Sequence, residues 1–329
     1  MNRKSCLFQE EDTSLIQQIF AEKLHKDLSC PAQLMSGGLF NTIYKVQCAD
    51  QIYVIRFGPV NRHLLMGFEE HLMEAEYYVY SLCKEREITC PDVLVCDTSR
   101  SLVNRDYMIM KYISGSVMLD AGLLNGQKGE LFEQIGAYAA NLHTLTDNRF
   151  GFVSRILTER HTYSWAECLI REAEEITDAL VRGQHMSRQE AGGILHAFLD
   201  HETLLNEIRI AHLLHTDLWE GNVMTACRDG RPYLKTVIDA DRAVFGDEDF
   251  EWAASWMNIP AVLQGAGICE EDFYRPERKM RRQIYRIFYA LMNCYAGIFE
   301  YHDIDMFWGG KEEAVRTAEA VCRGWQADV

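Results

Sequence analysis

Apolar residues first recur at helical spacing, at Leu15, Ile16, Ile19, Phe20 and Leu24, which predicts a helix from Thr13 to about Lys26 capped by Asp12 or Thr13. The pattern then turns strand-like over Gln33 to Met35, Thr42 to Cys48 and Ile52 to Phe57, with room for a hairpin turn at Ala49-Asp50-Gln51. A helix is predicted over Glu69 to Lys84, and strands over Val93 to Cys96 and Tyr107 to Ile113. Beyond Gly115 helical spacing takes over, in Leu131 to Leu145, Ser164 to Leu180, Arg188 to Ile208, Asp272 to Phe299 and Glu312 to Trp325. Two short strands interrupt it, Val223 to Ala226 and Leu234 to Ile238, around a turn at Arg228-Asp229-Gly230. Strands first and helices afterwards predict an α+β chain of two lobes. The smaller, an antiparallel sheet with one long helix, spans 1–113; the larger, mostly helical, spans 114–329. A hinge is expected near Tyr112 to Gly115, with a ligand cleft between the lobes.

A length of 329 residues suits two such lobes, and 48% apolar with 25% charged residues excludes disorder and collagen-like repeats. The 33 basic residues against 49 acidic ones leave a formal charge of −16. That sign argues against nucleic acid or an anionic membrane as a charge-driven partner. No stretch reaches the ~18 apolar residues that cross a bilayer. Arg3 and Lys4 meet Glu10, Glu11 and Asp12 rather than the apolar core of a secretory signal. The 11 cysteines are scattered without a C-x-x-C pair, as expected of reduced thiols in the cytoplasm, and His212 and His215 lack the neighbours of a zinc site. Nothing in the sequence marks an oligomeric state.

Chemistry concentrates between Leu213 and Met224. His215-Thr216-Asp217 is followed five residues after the aspartate by Asn222, with apolar residues on both sides. Farther on, the strand ending at Ile238 delivers Asp239-Ala240-Asp241. A loop bearing Asp and Asn, then a hairpin, then Asp at a strand end can gather oxygen ligands around one point, as Mg²⁺ requires. Phosphoryl transfer asks little more of a protein than positioning, metal charge and an acceptor for the nucleophile's proton.

These residues carry a family resemblance. H-T-D-L-W-E-G-N-V-M and V-I-D-A-D-R-A-V-F-G-D-E-D-F-E-W-A resemble the paired motifs of the aminoglycoside phosphotransferase and choline kinase superfamily of small-molecule kinases, which includes fructosamine kinases. The resemblance implies a bilobal protein-kinase-like fold. It implies that Asp217 is the catalytic base, that Asn222 and Asp239 hold Mg²⁺, and that His215 supports the loop. Asp241 either orients the metal site or joins the acceptor pocket. Gly246 and Asp247 match the later G-D, whereas Glu248 replaces the usual Pro and Glu251 the usual Asp. Upstream, Ser36, Gly37, Gly38 and Asn41 stand where the family folds its nucleotide loop, and Arg56 where protein kinases keep a phosphate-binding Lys. Glu74 is the expected helix partner of Arg56, with Glu70 and Glu76 as competitors. Met110, Lys111 and Ile113 would flank and hydrogen-bond a purine. His143 fits the family's Leu-His near a helix end and is expected to be packed rather than catalytic.

The implied reaction is Mg²⁺-dependent transfer of the γ-phosphoryl group of ATP or GTP to a hydroxyl of a small molecule. Acidic and aromatic residues past Asp217, among them Trp219, Glu220, Asp249, Glu251, Trp252, Trp256 and Glu300, suit a cationic acceptor such as an aminoglycoside, choline or a glycated amine, ahead of an uncharged sugar or alcohol. Trp219 matches fructosamine kinases, while Thr216 departs from their Gly. Two alternatives stand beside this reading. A catalytically silent pseudokinase acting as a regulatory module is disfavoured by Asp217, Asn222 and Asp239 occurring together. A protein kinase is disfavoured because D-F-G and A-P-E are absent.

Overall fold

The computed structural model describes residues 5–35, 40–254 and 259–324. Its first lobe is a five-stranded antiparallel sheet in the order β1-β2-β3-β5-β4, built from β1 (Gln33–Leu34), β2 (Thr42–Gln47), β3 (Ile52–Phe57), β4 (Val93–Asp97) and β5 (Tyr107–Lys111). Alternation in β2 turns Thr42, Tyr44 and Val46 inward. With Tyr53, Ile55 and Phe57 of β3 they meet Ile16, Ile19 and Phe20 of α1 (Thr13–Leu24), closing one hydrophobic core. Arg56, one residue out of phase with that set in β3, lies on the opposite side of the pleat, toward α2 (Leu72–Glu85). Its position there sets up the site.

The chain leaves β5, passes β6 (Ser116–Val117) and enters α3 (Asn125–His143). β7 (Thr146–Asp147), β8 (Gly151–Phe152), α4 (Val153–Leu157), α5 (Trp165–Arg182), α6 (Arg188–Leu199) and α7 (Glu202–Leu205) follow. β9 (Ala211–Leu214) then runs straight into the Asp217 loop. β10 (Val223–Arg228) and β11 (Arg231–Val237) form the next hairpin, with β6 on the far side of β10. β12 (Val244–Gly246) closes the antiparallel sheet β7-β9-β12-β8. The end of the chain is helical: α8 (Glu248–Trp252), α9 (Ile259–Ala266), α10 (Glu270–Phe273), α11 (Pro276–Tyr295) and α12 (Ile304–Cys322). The sheet of β7, β8, β9 and β12 and the helices pack into one continuous core, which α2 also joins through Ala75, Val79, Tyr80 and Cys83.

The α+β reading holds, with local differences. The predicted helix over 188–208 is two helices, α6 and α7. That over 272–299 splits at Pro276, which lacks an N–H and so starts α11 rather than continuing α10. The last helix begins earlier than predicted, at Ile304, because Asp303 caps it by accepting from the Asp305 and Met306 amides. Trp325, Trp256 and the nucleotide-loop residues Ser36, Gly37 and Gly38 lie outside the described residues.

Two helix glycines show how tightly the helical lobe is built. A Cβ on Gly136 of α3 would stand 2.0 Å from the Val262 carbonyl oxygen, and one on Gly265 of α9 would stand 1.7 Å from that of Glu133. The two backbones meet with no side chain between them. Gly136→Ala is therefore expected to destabilise the protein by ~1–3 kcal/mol through overpacking, whereas Gly126→Ala, in the same helix with open space around it, should leave the melting temperature unchanged or raised. Thermal unfolding of the two variants tests this.

Candidate active site

The loop between β9 and β10 is held from behind by one carboxylate. Glu251 of α8 accepts the His215 amide at 2.6 Å and the Thr216 amide at 2.8 Å. His215 is buried; its Nδ1 accepts the Asp217 amide at 3.3 Å, so its Nε2–H donates to the Ile238 carbonyl at 3.1 Å. Burial holds its pKa below the usual histidine value against the pull of Glu251 and Asp239. Asn222 closes the loop, its Nδ2 donating to the Asp217 carbonyl at 3.0 Å and to Asp217 Oδ2 at 2.7 Å. Its own carbonyl accepts the Ile238 amide at 2.9 Å, tying the loop to the strand end that carries Asp239. Asp217, Asn222, Asp239 and Asp241 thus gather on one floor. Enclosure pushes Asp217 up to about 6, against the pull of Arg242; burial and then the Asp239 charge push Asp241 up to about 7.

Above this floor sits Arg56, 5% exposed. Its Nη1 donates to Asp239 Oδ1 at 2.5 Å, and its Nη2 pairs with Glu76 of α2. The helix partner is therefore Glu76, and the expectation of Glu74 is corrected: Glu74 bonds His71 and, at 2.8 Å, the Thr98 hydroxyl. Tyr80, one turn beyond Glu76, donates to its Oε1 at 2.6 Å and accepts the Asp239 amide at 2.9 Å. Asn41 is buried and lines a small pocket with Arg56 and Asp241. Met110 is half-buried on β5 opposite Val54, and Ile113 is half-buried past the strand end. The Lys111 amide donates to the Asp92 carbonyl at 3.0 Å and the Tyr112 amide to that of Ile52 at 3.1 Å, so these two donors are already committed to the sheet. The Lys111 ammonium pairs with Asp92.

Sequence reasoning passed over Tyr80 and Arg242 and counted Glu251 among the acids suited to a cationic acceptor, whereas it holds the loop. Arg242 bonds Glu69 through Nε at 2.8 Å and Nη2 at 2.6 Å, with its guanidinium over the Phe40 ring. Of the acids expected to greet a cationic acceptor, Asp249, Glu251 and Glu300 are buried, whereas Glu270, Glu271 and Asp305 are exposed and Asp272 and Asp303 half-buried. Asp249 takes Arg278, Arg281 and Arg282 of α11; Asp247 takes Arg281 and Tyr285. Glu300 is buried at the end of the π-helical turn that follows α11, its pKa pushed well up by burial and then by Glu69. Glu220 pairs with Lys128 at 2.8 Å. Trp252 and His143 are buried, their rings 5.2 Å apart, and His143 is a packed residue as expected. Among the described residues no group of three or more His, Cys, Asp or Glu is arranged as a metal cage.

Thr216 explains the family's glycine by departing from it. Its φ is +68°, a left-handed conformation costly for a β-branched residue. The two amide bonds to Glu251 and a 2.9 Å bond from Thr216 Oγ1 to the Arg242 carbonyl hold it there. Thr216→Val keeps the strain and deletes that bond, and is expected to cost ~1–3 kcal/mol. Thr216→Gly relieves the strain and should cost less. Chemical denaturation of both variants checks the order.

In sequence, residues 32–281, well over half the chain, match the model of the phosphotransferase enzyme family. No curated protein matches the chain. Among solved structures, aminoglycoside phosphotransferase APH(2″)-IIa in a ternary complex with streptomycin and ATP is similar at TM-score 0.63 and 15% identity, over 95% of this chain and 99% of that one. A thermostable mutant of aminoglycoside phosphotransferase APH(4)-Ia, in a ternary complex with AMP-PNP and hygromycin B, is similar at 0.62 and 19%, over 95% and 99%. A putative fructosamine-3-kinase from Haemophilus somnus 129PT is similar at 0.63 and 14%, over 93% and 96%. With its motifs, its fold and this match in agreement, the chain belongs to the phosphotransferase enzyme family and is a small-molecule kinase.

Proposed function

We propose that the enzyme transfers the γ-phosphoryl group of ATP or GTP to a hydroxyl of a small molecule, with Mg²⁺, and that Asp217 is its base. The observation that carries the reading is the gathering of Asp217, Asn222, Asp239 and Asp241 beneath a buried arginine. The donor set fits Mg²⁺: it is all oxygen, and Mg²⁺ is commonly held by one or two carboxylates with water and phosphate oxygens rather than by a closed cage. When bound, the ion would neutralise charge building on the phosphates during transfer. Arg56 fits a phosphate contact, because its buried Nε has no hydrogen-bond partner among the described residues. Solved relatives complexed with ATP or AMP-PNP support a nucleotide donor, and their streptomycin and hygromycin B ligands support a hydroxyl-rich acceptor.

In this reading Asn222 fixes the Asp217 carboxylate through Nδ2, leaving Asn222 Oδ1 for the cation. Asp217 accepts the hydrogen bond of the acceptor hydroxyl. As that oxygen bonds to the γ-phosphorus and the bond to the β–γ bridging oxygen breaks, Asp217 takes the proton and the nucleoside diphosphate departs. Arg56, steadied by Glu76 and through it by Tyr80, would grip phosphate, and Asp239 with Asn222 would hold the cation. Ser36, Gly37, Gly38 and Asn41 cover the phosphates, and the 110–113 segment flanks the base. The eleven free thiols suit a reducing compartment such as the cytoplasm.

Asp217→Asn is expected to lower turnover by ~10²–10⁴-fold while fluorescent (mant-) ADP still binds. Full turnover on the true acceptor would remove Asp217 from the role. Substrate-independent loss of all nucleotide hydrolysis and transfer in the wild type, with nucleotide still bound, would favour the pseudokinase. On the helix, Glu76→Gln should weaken mant-ADP binding several-fold and Glu74→Gln should not. Fluorescence titration of the pair separates the two carboxylates.

A further inference from the structure

The acceptor side of the cleft differs in character from the donor side. Trp219, two residues past the base, is 38% exposed, and a Cβ on Gly221 would stand 2.3 Å from its ring. Only glycine there lets the indole lie against the loop. Around it, the Leu119 amide donates to the Glu220 carbonyl at 3.1 Å, and Lys128 of α3 reaches the Glu220 carboxylate. Leu119 is 53% exposed, and Leu124, one turn before Lys128, is 72% exposed. Three large apolar side chains thus rim the catalytic loop around an ion pair that is already neutral. Exposed apolar clusters of this kind mark ligand surfaces.

The charges nearby point the same way. Glu220 is matched by Lys128, Asp239 by Arg56, Glu69 by Arg242 and Glu251 by loop amides, so a cationic acceptor would have to displace an internal partner at each. Arg56 and Arg242 are themselves neutralised by Glu76, Asp239 and Glu69, and the acids without an ion-pair partner among the described residues of the site, Asp217 and Asp241, lie on the floor rather than beside Trp219. Beside Trp219 a polycation would lose water without gaining an unpaired acid, whereas an apolar face would displace water from Trp219 and the two leucines.

Resting on the kinase reading above, we propose that the acceptor is an uncharged hydroxyl compound with an apolar face that stacks on Trp219, flanked by Leu119 and Leu124, rather than a polycation. The transfer itself is unchanged: the acceptor oxygen bonds to phosphorus, its proton goes to Asp217, and the nucleoside diphosphate leaves.

The test uses the full chain with Mg²⁺ and a charge-graded set of probes: methyl, butyl and octyl β-D-glucopyranoside, choline and kanamycin. Phosphoryl transfer from labelled ATP and quenching of tryptophan fluorescence in the ADP complex are both measured. Expected are apparent affinities that rise several-fold at each lengthening of the alkyl chain and end at least tenfold above kanamycin and choline. Trp219→Ala should raise KM for octyl glucoside at least tenfold, Trp219→Phe should restore most of it, and the mant-ADP affinity of both should match the wild type. A preference for kanamycin or choline, indifference to chain length, no binding by any glucoside, or an unchanged KM in Trp219→Ala would each overturn the proposal. If the wild type does not bind mant-ADP, the kinase reading itself fails and this inference falls with it; normal mant-ADP binding with a cation preference overturns this inference alone.

Discussion

A guanidinium cannot give up its proton, so Arg56, sealed at the base of the cleft, must have carboxylates around it. Glu76 comes from the helix behind the sheet and Asp239 from the helical lobe, so one buried charge ties three parts of the fold together. Removing Glu76 would leave that buried charge only the partly exposed Asp239 as a partner, which costs more than losing a surface pair. Tyr80 adds a neutral bridge, donating to one acid and accepting the amide of the other. Through the same pairing the buried guanidinium and the Asp239 carboxylate satisfy each other across the two lobes.

The loop below is built on a similar logic with backbone in place of guanidinium. Glu251 spends both carboxylate oxygens on two consecutive amides, and Thr216 is thereby held in a conformation it would not choose. Glu251 stands on α8, whose N-cap Asp247 and first-turn Asp249 are gripped by arginines at 278, 281 and 282 on one face of α11. Tension at Asp217 is thus resisted through α8 and α11 into the core. A strained loop persists only where its surroundings over-determine it, and this chain of acids and arginines supplies that.

Long periodic elements were legible in the sequence. The helix with Ile16, Ile19 and Phe20 and the β2–β3 hairpin stand where the pattern put them, because each buries one continuous face. Strands of two to four residues, such as β7, β8, β9 and β12, are too short to show a period and take their shape from tertiary pairing. The helix carboxylate was legible but misread. Ala75, Val79, Tyr80 and Cys83 define the buried stripe of α2, and Glu76 lies on it while Glu74 lies beside it, so helical phase alone separates the two. The motif residues Asp217, Asn222 and Asp239 could be named from spacing and family pattern; Glu251 and Arg242 could not be given their work, because that depends on which amides and acids they meet in three dimensions.

Acidity is where sequence and structure part most. A count of 49 acidic residues against 33 basic ones invites a cation as substrate. Yet charge in a sequence says nothing of where its partner lies, and here Asp247, Asp249, Glu251, Glu69 and Glu300 all turn inward to arginines, amides or one another. What they build is rigidity behind the Asp217 loop and around Arg242. The division follows from the chemistry each side must do. On the donor side proposed above, phosphate and cation would meet side chains already held in place, Arg56 by Glu76 and Asp217 by Asn222. An alcohol offers one weak hydrogen bond at its reacting oxygen, so its grip must come from the rest of the molecule, and the surface beside Asp217 available for that grip is aromatic and aliphatic.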